Sequence, residues 1–257
     1  MPKADEKTAV GVTCTTGAPA LGLGPGPSGR RLDATQVGRE PGWKWENPPV
    51  RIIAIDGPAG SGKSTVAATL AERLGLGRLD TGAMYRAVAL AAIRRGVDVA
   101  DSQAVARVAA DVQLEVGERV WVDGVDSTSE IRQDDVNAVV STVSAIPEVR
   151  AELVARQRRW VDQRGGGVVE GRDIGSVVFP DADLKVFLTA DEKVRAHRRA
   201  RETGRTDPNT VAQELTLRDE LDSARAHSPL AVAPGAVVID TTGRTVSQVV
   251  DELLDKL

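Results

Sequence analysis

Short apolar stretches alternate with amphipathic helical patterns along the chain from Val50 onward. This alternation is typical of a parallel sheet covered by helices. The predicted strands cover residues 51–56, 78–80, 167–170, 184–189 and 236–240. The predicted helices cover residues 63–74, 82–95, 147–163, 191–202, 208–225 and 245–257. The pattern therefore predicts an α/β fold built on five parallel strands.

One segment, about residues 98–146, breaks this alternation. Val112, Leu114 and Val116 predict one strand, Val120 and Val122 predict its partner, and Asp123-Gly124 predicts a tight turn into Val125. An insertion at the carboxyl ends of parallel strands is well placed to close over a ligand. We therefore predict an antiparallel β insertion in this segment.

The beginning of the chain has a different composition. The first fifty residues contain 8 Gly and 7 Pro without a repeat, a level typical of disorder. Pro19, Pro25 and Pro27 interrupt the only apolar part, which argues against a signal peptide. We predict a flexible tail over residues 1–48 and a folded domain over residues 49–257. An alternative is that the functional polypeptide begins near Glu46.

Charge and cysteine content narrow the class of protein. The 257 residues carry a net charge of −4, so no overall positive field favours a nucleic acid polymer or an anionic membrane. The single cysteine, Cys14, excludes an intramolecular disulfide and suits a reducing compartment. No apolar stretch approaches the length that spans a bilayer. We predict a cytoplasmic monomer whose partners are small molecules.

A glycine-rich loop joins the first predicted strand to the first predicted helix. It reads Gly57-Pro58-Ala59-Gly60-Ser61-Gly62-Lys63-Ser64. This is the sequence form of a P-loop, in which backbone N–H groups surround phosphates at the start of a helix. Lys63 is expected to reach the outer phosphates, and the Ser64 hydroxyl is expected to ligate Mg²⁺. The loop therefore predicts binding of a nucleoside triphosphate.

Other motifs help to choose among P-loop proteins. The Asn-Lys-x-Asp motif of regulatory GTPases and the Leu-Ser-Gly-Gly-Gln signature of transporter ATPases are both absent from the sequence. Asp240-Thr241-Thr242-Gly243 fits a GTPase pattern but lies near the C-terminus, so we interpret it as a coincidence. Arginines instead occur in several separate segments, and Arg172 follows a predicted strand at the sheet edge where ligands bind.

From Ile53 to Leu254 the chain resembles bacterial cytidylate kinases, P-loop nucleoside monophosphate kinases that transfer the γ-phosphoryl group of ATP to CMP or dCMP. Six segments carry the resemblance in the family's order. They are Ile55-Asp56-Gly57-Pro58-Ala59-Gly60-Ser61-Gly62-Lys63-Ser64-Thr65, Leu79-Asp80-Thr81-Gly82-Ala83-Met84-Tyr85-Arg86, Glu170-Gly171-Arg172-Asp173-Ile174-Gly175, Val178-Phe179-Pro180-Asp181-Ala182, Arg218-Asp219-Glu220-Leu221-Asp222-Ser223-Ala224-Arg225 and Ser228-Pro229-Leu230.

The resemblance implies a three-layer fold, ATP and Mg²⁺ as donor and cofactor, and CMP and dCMP as substrates. It assigns the insertion at about 98–146 to nucleoside monophosphate binding and the Arg-rich segment at about 191–207 to a lid. It assigns ATP binding to residues 57–65, catalysis to Lys63, Arg172 and Arg218, and cytosine recognition to Ser141, Arg150 and Asp173. The remaining implied substrate contacts are Arg86, Arg172, Arg218 and Arg225 at the acceptor phosphate, Tyr85 and Asp222 at the pentose, and the hydroxyl of Thr81.

The chemistry of these residue types agrees with that implied role. Cytosine offers an amino donor at N4 beside acceptors at N3 and O2, which a carboxylate, an arginine and a serine can complement. In the lid, one or two of five arginines are expected to reach the ATP phosphates; the candidates are Arg195, Arg198, Arg199, Arg201 and Arg205. Two alternatives stay open, namely a kinase acting on UMP, AMP or a small metabolite, and a non-catalytic nucleotide-binding module.

Overall fold

The computed structural model describes residues 52–204, 207–225 and 228–257. The predicted tail at residues 1–48 and the lid candidate Arg205 lie outside the described residues.

A five-stranded parallel sheet forms the centre of the fold, in the order β2-β6-β1-β7-β8. Within the described residues the strands are β1 (Ile52–Asp56), β2 (Arg78–Asp80), β3 (Leu114–Val116), β4 (Val120–Val122), β5 (Val125–Asp126), β6 (Gly167–Glu170), β7 (Leu184–Thr189) and β8 (Val237–Asp240). The helices are α1 (Lys63–Leu74), α2 (Thr81–Arg94), α3 (Ser102–Asp111), α4 (Asp134–Ala145), α5 (Pro147–Arg164), α6 (Glu192–Thr203), α7 (Pro208–Ser223) and α8 (Val246–Leu254). The five predicted parallel strands are confirmed.

Helices cover both faces of this sheet. Side chains alternate across the central strand β1, so Ala54 packs into the core that contains α2 and α5, whereas Ile53 and Ile55 pack against α1 and α8. Two separate apolar clusters result, one on each face. The predicted three-layer α/β architecture is therefore confirmed.

Local signals set the helix ends. The Asp80 carboxylate accepts a hydrogen bond from the Ala83 N–H at 3.0 Å and so caps α2. Thr245 and Gln248 form the predicted capping box before α8. Helix α7 ends at Ser223, two residues before its predicted end, so Arg225 follows the helix instead of belonging to it.

The insertion contains the predicted antiparallel strands, which pair in the order β3-β4-β5. Asp123 and Gly124 form the turn with φ values of 50° and 77°, the left-handed conformation that a two-residue hairpin turn needs. However, the prediction missed helices α3 and α4 within the same segment, and Val112 follows α3 instead of starting a strand.

The missed helices have a clear helical period. In α4 the buried side chains are Val136, Val140, Val143 and Ser144, at spacings of three and four residues. The intrinsic preference of a β-branched valine is for a strand. Here, however, the valines recur at helical spacing, so one face of the helix is buried against the core. Among the residues that the structure describes, no helix is long and apolar enough to cross a membrane.

Candidate active site

A cleft lies at the carboxyl ends of β2 and β6, beside the loop that follows β1. This is the edge of a parallel α/β sheet at which ligands bind. The cleft brings together most of the residues that the sequence assigned to binding and catalysis. They are Lys63, Ser64, Thr81, Tyr85, Arg86, Arg150, Arg172, Asp173, Arg218, Asp222 and Arg225.

The P-loop between β1 and α1 has a backbone that requires glycine. Gly57 has a φ of 145°, and a Cβ there would lie 2.0 Å from the Leu188 carbonyl oxygen. Gly62, the N-cap of α1, has a φ of 93°. The Lys63 ammonium folds back over the loop and donates to the Pro58 carbonyl oxygen at 2.6 Å.

The electrostatics of the loop favour an anion. Burial, with the charge of Arg172 as the next cause, holds the pKa of Lys63 well below its ordinary value. A bound phosphate would stabilise the charged ammonium and reverse that shift. The loop at the start of α1 is thus built to receive negative charge.

A buried carboxylate that the sequence analysis did not assign, Glu170, lies beside this loop. Its Oε2 accepts from the Ser64 hydroxyl at 2.7 Å, and its Oε1 pairs with the Arg78 guanidinium at 3.1 Å. Burial, reinforced by the nearby Asp80, raises the pKa of Glu170 to about 7. The sequence does show that Glu170 ends a predicted buried strand, and the structure pairs that strand with β1.

Several arginines converge on the same cleft. Arg86 is buried, and its Nε finds no hydrogen-bond partner among the described residues; the same holds for the Nε of Arg218. Burial lowers the pKa of Arg86 to about 10, and the neighbouring charges of Arg199, Arg132 and Arg172 act in the same direction. Burial, then the charges of Arg86 and Arg172, also lowers the pKa of Arg218. This cluster is suited to bind an anion such as a phosphate.

Asp222 orients two further arginines at the rim of the cluster. Its Oδ2 accepts from the Arg172 Nε at 2.9 Å, and its Oδ1 accepts from the Arg225 guanidinium. Burial alone would raise the pKa of Asp222, but the guanidinium groups of Arg172, Arg225 and Arg218 hold it below its ordinary value. Asp222 is therefore a fixed acceptor at the edge of the phosphate cluster.

The third part of the cleft is a buried ion pair between Arg150 and Asp173. The Arg150 guanidinium lies over the Tyr85 ring, 5.6 Å from its centroid. Burial raises the pKa of Asp173, although Arg150 opposes that effect. The pair offers a donor and an acceptor side by side, which is the arrangement that a base edge requires.

Ser141 lies apart from this pair. It lines a neighbouring cleft between α4 and α7, together with Leu217 and Leu221. The serine of α4 that lines the main cleft is Ser144, one turn later, whose hydroxyl accepts from the Arg225 guanidinium at 2.8 Å. The role of Ser141 in cytosine recognition stays a prediction.

The lid arginines on α6 point in different directions. Arg198 donates to the Thr241 hydroxyl at 2.8 Å and lines a second cleft beside the P-loop, where Arg244 also lies. Arg199 pairs with Glu202 at 3.0 Å and lines the main cleft. Arg195 turns toward the loop backbone and donates to the Ala59 carbonyl oxygen at 3.2 Å.

Comparison with known proteins gives consistent matches. The cytidylate kinase family model matches residues 53–257. A cytidylate kinase from Mycobacterium avium (strain 104) is 50% identical over 213 residues, which cover 79% of this chain and 93% of that protein. One from Pelotomaculum thermopropionicum is 48% identical over 216 residues, which cover 80% and 95%. A solved gluconokinase from Sinorhizobium meliloti 1021 matches at 18% identity and a TM-score of 0.44 over 81% of this chain and 92% of that one, a likeness that says nothing about activity.

Proposed function

The chain belongs to the cytidylate kinase family, and we propose that it transfers the γ-phosphoryl group of ATP to CMP or dCMP, giving ADP and CDP or dCDP. One observation carries this proposal. A P-loop lysine and a cluster of buried and half-buried arginines line the same cleft, and the Arg150–Asp173 pair lines that cleft as well. Such a site has a place for a donor phosphate, an acceptor phosphate and an acceptor base.

The donor half of the site is the P-loop with the second cleft. Residues 57–65 bind the triphosphate through the backbone N–H groups of the loop, which Pro58 lacks, and through the Lys63 ammonium. Arg198 and Arg244 line the cleft that continues from the loop, so they are candidates for contact with the rest of ATP.

The acceptor half of the site recognises both the phosphate charge and the base of the monophosphate. Arg86, Arg172 and Arg218 bind the phosphate through planar guanidinium groups. Asp173 accepts from the cytosine amino group, and Arg150 donates to a base acceptor. Uracil presents the opposite groups at this edge, so it would leave buried polar groups unpaired.

Catalysis follows from alignment and charge neutralisation. The acceptor phosphate oxygen is already anionic near neutral pH, so no side chain has to remove a proton. Lys63, Arg172 and Arg218 stabilise the charge that spreads over the transferring group. Enclosure by the arginines of α6 keeps out water, which would otherwise take the place of CMP as acceptor.

We include Mg²⁺ in the proposal because the oxygens beside the P-loop suit it. Mg²⁺ prefers oxygen ligands and is commonly held by one or two protein groups together with substrate phosphates. The Ser64 hydroxyl and the Glu170 carboxylate, 2.7 Å apart, are groups of this kind. When bound, the ion neutralises phosphate charge.

Turnover with a panel of acceptors tests the proposal. ADP release is measured with ATP and CMP, dCMP, UMP or AMP in parallel. The proposal predicts strong turnover with CMP or dCMP and a loss of at least about 100-fold in kcat/KM with UMP. Strong turnover with UMP or AMP and none with CMP would favour a kinase for another acceptor. ATP binding without turnover of any acceptor would favour a non-catalytic module.

A further inference from the structure

Asp56 is a buried carboxylate that neither half of the proposed site uses. It is the last residue of β1, directly before Gly57, and only 2% of its surface is exposed. Its Oδ1 accepts from the Ile174 N–H at 2.8 Å, and its Oδ2 accepts from the Gly175 N–H at 2.8 Å. Both amides directly follow Asp173.

The two amides belong to a turn that needs such an acceptor. Residues Ile174–Val178 form a single π-helical turn with Asp173 as its N-cap. The first N–H groups of a helical turn have no partner within the turn. A carboxylate that accepts two of them makes strong charge-assisted hydrogen bonds, which offset part of the cost of its burial.

The same segment is tied to β1 at a second point. The Gly171 N–H donates to the Ile55 carbonyl oxygen at 2.9 Å. Asp173 therefore lies between two attachments to β1, one through the main chain of Ile55 and one through the side chain of Asp56. Its own carboxylate then pairs with Arg150.

From this geometry we propose that Asp56 is a positioning residue for acceptor selection. By holding the amides of Ile174 and Gly175, it fixes where the Asp173 carboxylate meets the acceptor base. The inference rests on the proposed function, because it gives Asp56 a role in recognition of the cytosine ring.

The hydrogen bonds argue against a role for Asp56 on the donor side. The Lys63 ammonium donates to the Pro58 carbonyl oxygen and to the Ser61 hydroxyl, at 2.6 Å and 3.4 Å. Both oxygens of Asp56 are engaged by the turn after Asp173 instead. A change at Asp56 should therefore affect the acceptor before it affects ATP.

Asp56→Asn tests this directly, because the amide keeps the shape but presents only one acceptor oxygen. Steady-state kinetics should show kcat/KM for CMP reduced about 10- to 100-fold, as expected for a small misplacement of a binding group. The KM for ATP should stay within about threefold, and the preference for CMP over UMP should fall at least about tenfold.

Asp183→Asn is the matched control. The Asp183 Oδ2 accepts from the Ile52 N–H at 2.8 Å, so it also bonds a main-chain amide, at the opposite end of β1 and away from the cleft. This variant should leave both the KM for ATP and the CMP preference unchanged. An Asp56→Asn enzyme with unchanged CMP preference, or with a change confined to ATP, would overturn the inference.

A double-mutant cycle with Asp173→Asn shows whether Asp56 acts through Asp173. If it does, Asp56→Asn should cost much less CMP activity in the Asp173→Asn background than in the wild type. Fully additive losses would mean that Asp56 acts elsewhere.

A second variant decides the matter if Asp56→Asn does not fold. In Gly175→Ala the N–H is kept, but the new Cβ would lie 3.1 Å from the Lys185 side chain and 3.3 Å from the Ala233 Cβ, a crowding that only a small shift of the turn or of these neighbours relieves. It should raise the KM for CMP at least about threefold without changing the KM for ATP. Equal changes for both substrates, or none, would contradict the inference.

The wild-type enzyme separates this inference from the proposed function. If the wild type does not phosphorylate CMP, the proposed function fails, and the positioning role fails with it. If the wild type phosphorylates CMP and the Asp56 variants keep its selectivity, only the positioning role fails.

Discussion

Buried charged side chains determine the chemistry of the cleft at the scale of single residues. Lys63, Arg86, Glu170 and Asp222 are all buried, yet they face an open cleft. Burial of charge is costly unless a partner compensates it. For the cationic groups, the proposed partner is the phosphate of a bound substrate.

Lys63→Ala is the first prediction at this scale. The substitution should lower kcat about 100- to 1000-fold, because one preorganised positive charge is lost from the transferring phosphoryl group. The melting temperature should change little, since the hydrogen bonds of the ammonium within the described part of the chain go to two oxygens of the loop. Single-turnover transfer measures the loss, and Lys256→Ala, an exposed lysine near the C-terminus, is the control. Unchanged transfer would remove the P-loop assignment.

The second prediction concerns pH and Asp56. Burial raises the pKa of Asp56 to about 6 from its ordinary 3.8, although the amides of Gly175 and Ile174 oppose this. The folded state therefore binds the proton more tightly than the unfolded state. This contribution to stability is complete below the unfolded pKa and is lost as pH rises through about 6.

Urea unfolding of the ligand-free protein measures the effect. The free energy of unfolding of the wild type, relative to Asp56→Asn, should fall by about 2 kcal/mol between about pH 4.5 and about pH 7. Asp183→Asn should follow the wild type over the same range. Parallel curves for the wild type and Asp56→Asn would show that Asp56 does not titrate in this range.

The residues that belong to the site were easier to predict than the contacts that they make with one another. The P-loop follows from a motif whose chemistry requires those residue types in that order, Arg172 from its place after a predicted strand, and Asp173 from the family resemblance. The structure brings all three into one cleft. Which serine of α4 faces the cleft depends on the rotation of that helix, which motif spacing does not fix. The role of Glu170 was also missed, because its contact with Ser64 joins residues 106 positions apart.

At the scale of elements, α6 and α7 meet the P-loop at one point. The Asp219 Oδ1 accepts from the Ala59 N–H at 3.3 Å, and its Oδ2 pairs with the Arg195 guanidinium. Arg195 also donates to the Ala59 carbonyl oxygen. A small apolar cluster supports this contact; its members are Ala59, Ala196, Ala200, Val211 and Leu215. Helix α6, which carries the described lid arginines, and helix α7 are therefore anchored on the donor loop.

Arg195→Ala tests this anchor. It leaves the Asp219 carboxylate without its ion-pair partner, and we expect a loss of about 3 kcal/mol in the free energy of unfolding. The KM for ATP should rise about tenfold, with a smaller change for CMP. Arg73→Ala is the control, because Arg73 pairs with Asp251 on the surface and should cost less than about 1 kcal/mol. Equal effects on the two KM values would contradict an anchor on the donor side.

Elements of the parallel sheet were predictable because each buried strand is a short apolar run bounded by polar residues. The insertion was harder to predict. Its helices α3 and α4 bury valines at helical spacing. Valine as a residue type favours strands, whereas the spacing of these valines favours a helix, so the two signals disagree. Tertiary contact with the core that contains α2 decides the outcome in favour of helix.

At the scale of the whole molecule, the family match begins at residue 53, close to the start of the predicted domain. Deletion of residues 1–45 should leave the melting temperature nearly unchanged and kcat/KM within about twofold of the full chain, as expected for a terminal segment without a role in the fold. Thermal melts and CMP kinetics of the two proteins check this. A large drop in either would show that the tail contributes to the domain.

The cytoplasmic location and the monomeric state also stay predictions.

Transfer of the γ-phosphoryl group of ATP to CMP can be observed directly by ³¹P NMR of a reaction that contains the whole chain, ATP, Mg²⁺ and CMP. We expect ADP and CDP to appear in equal amounts, with little inorganic phosphate. ADP that appears together with inorganic phosphate, without CDP, would contradict this transfer.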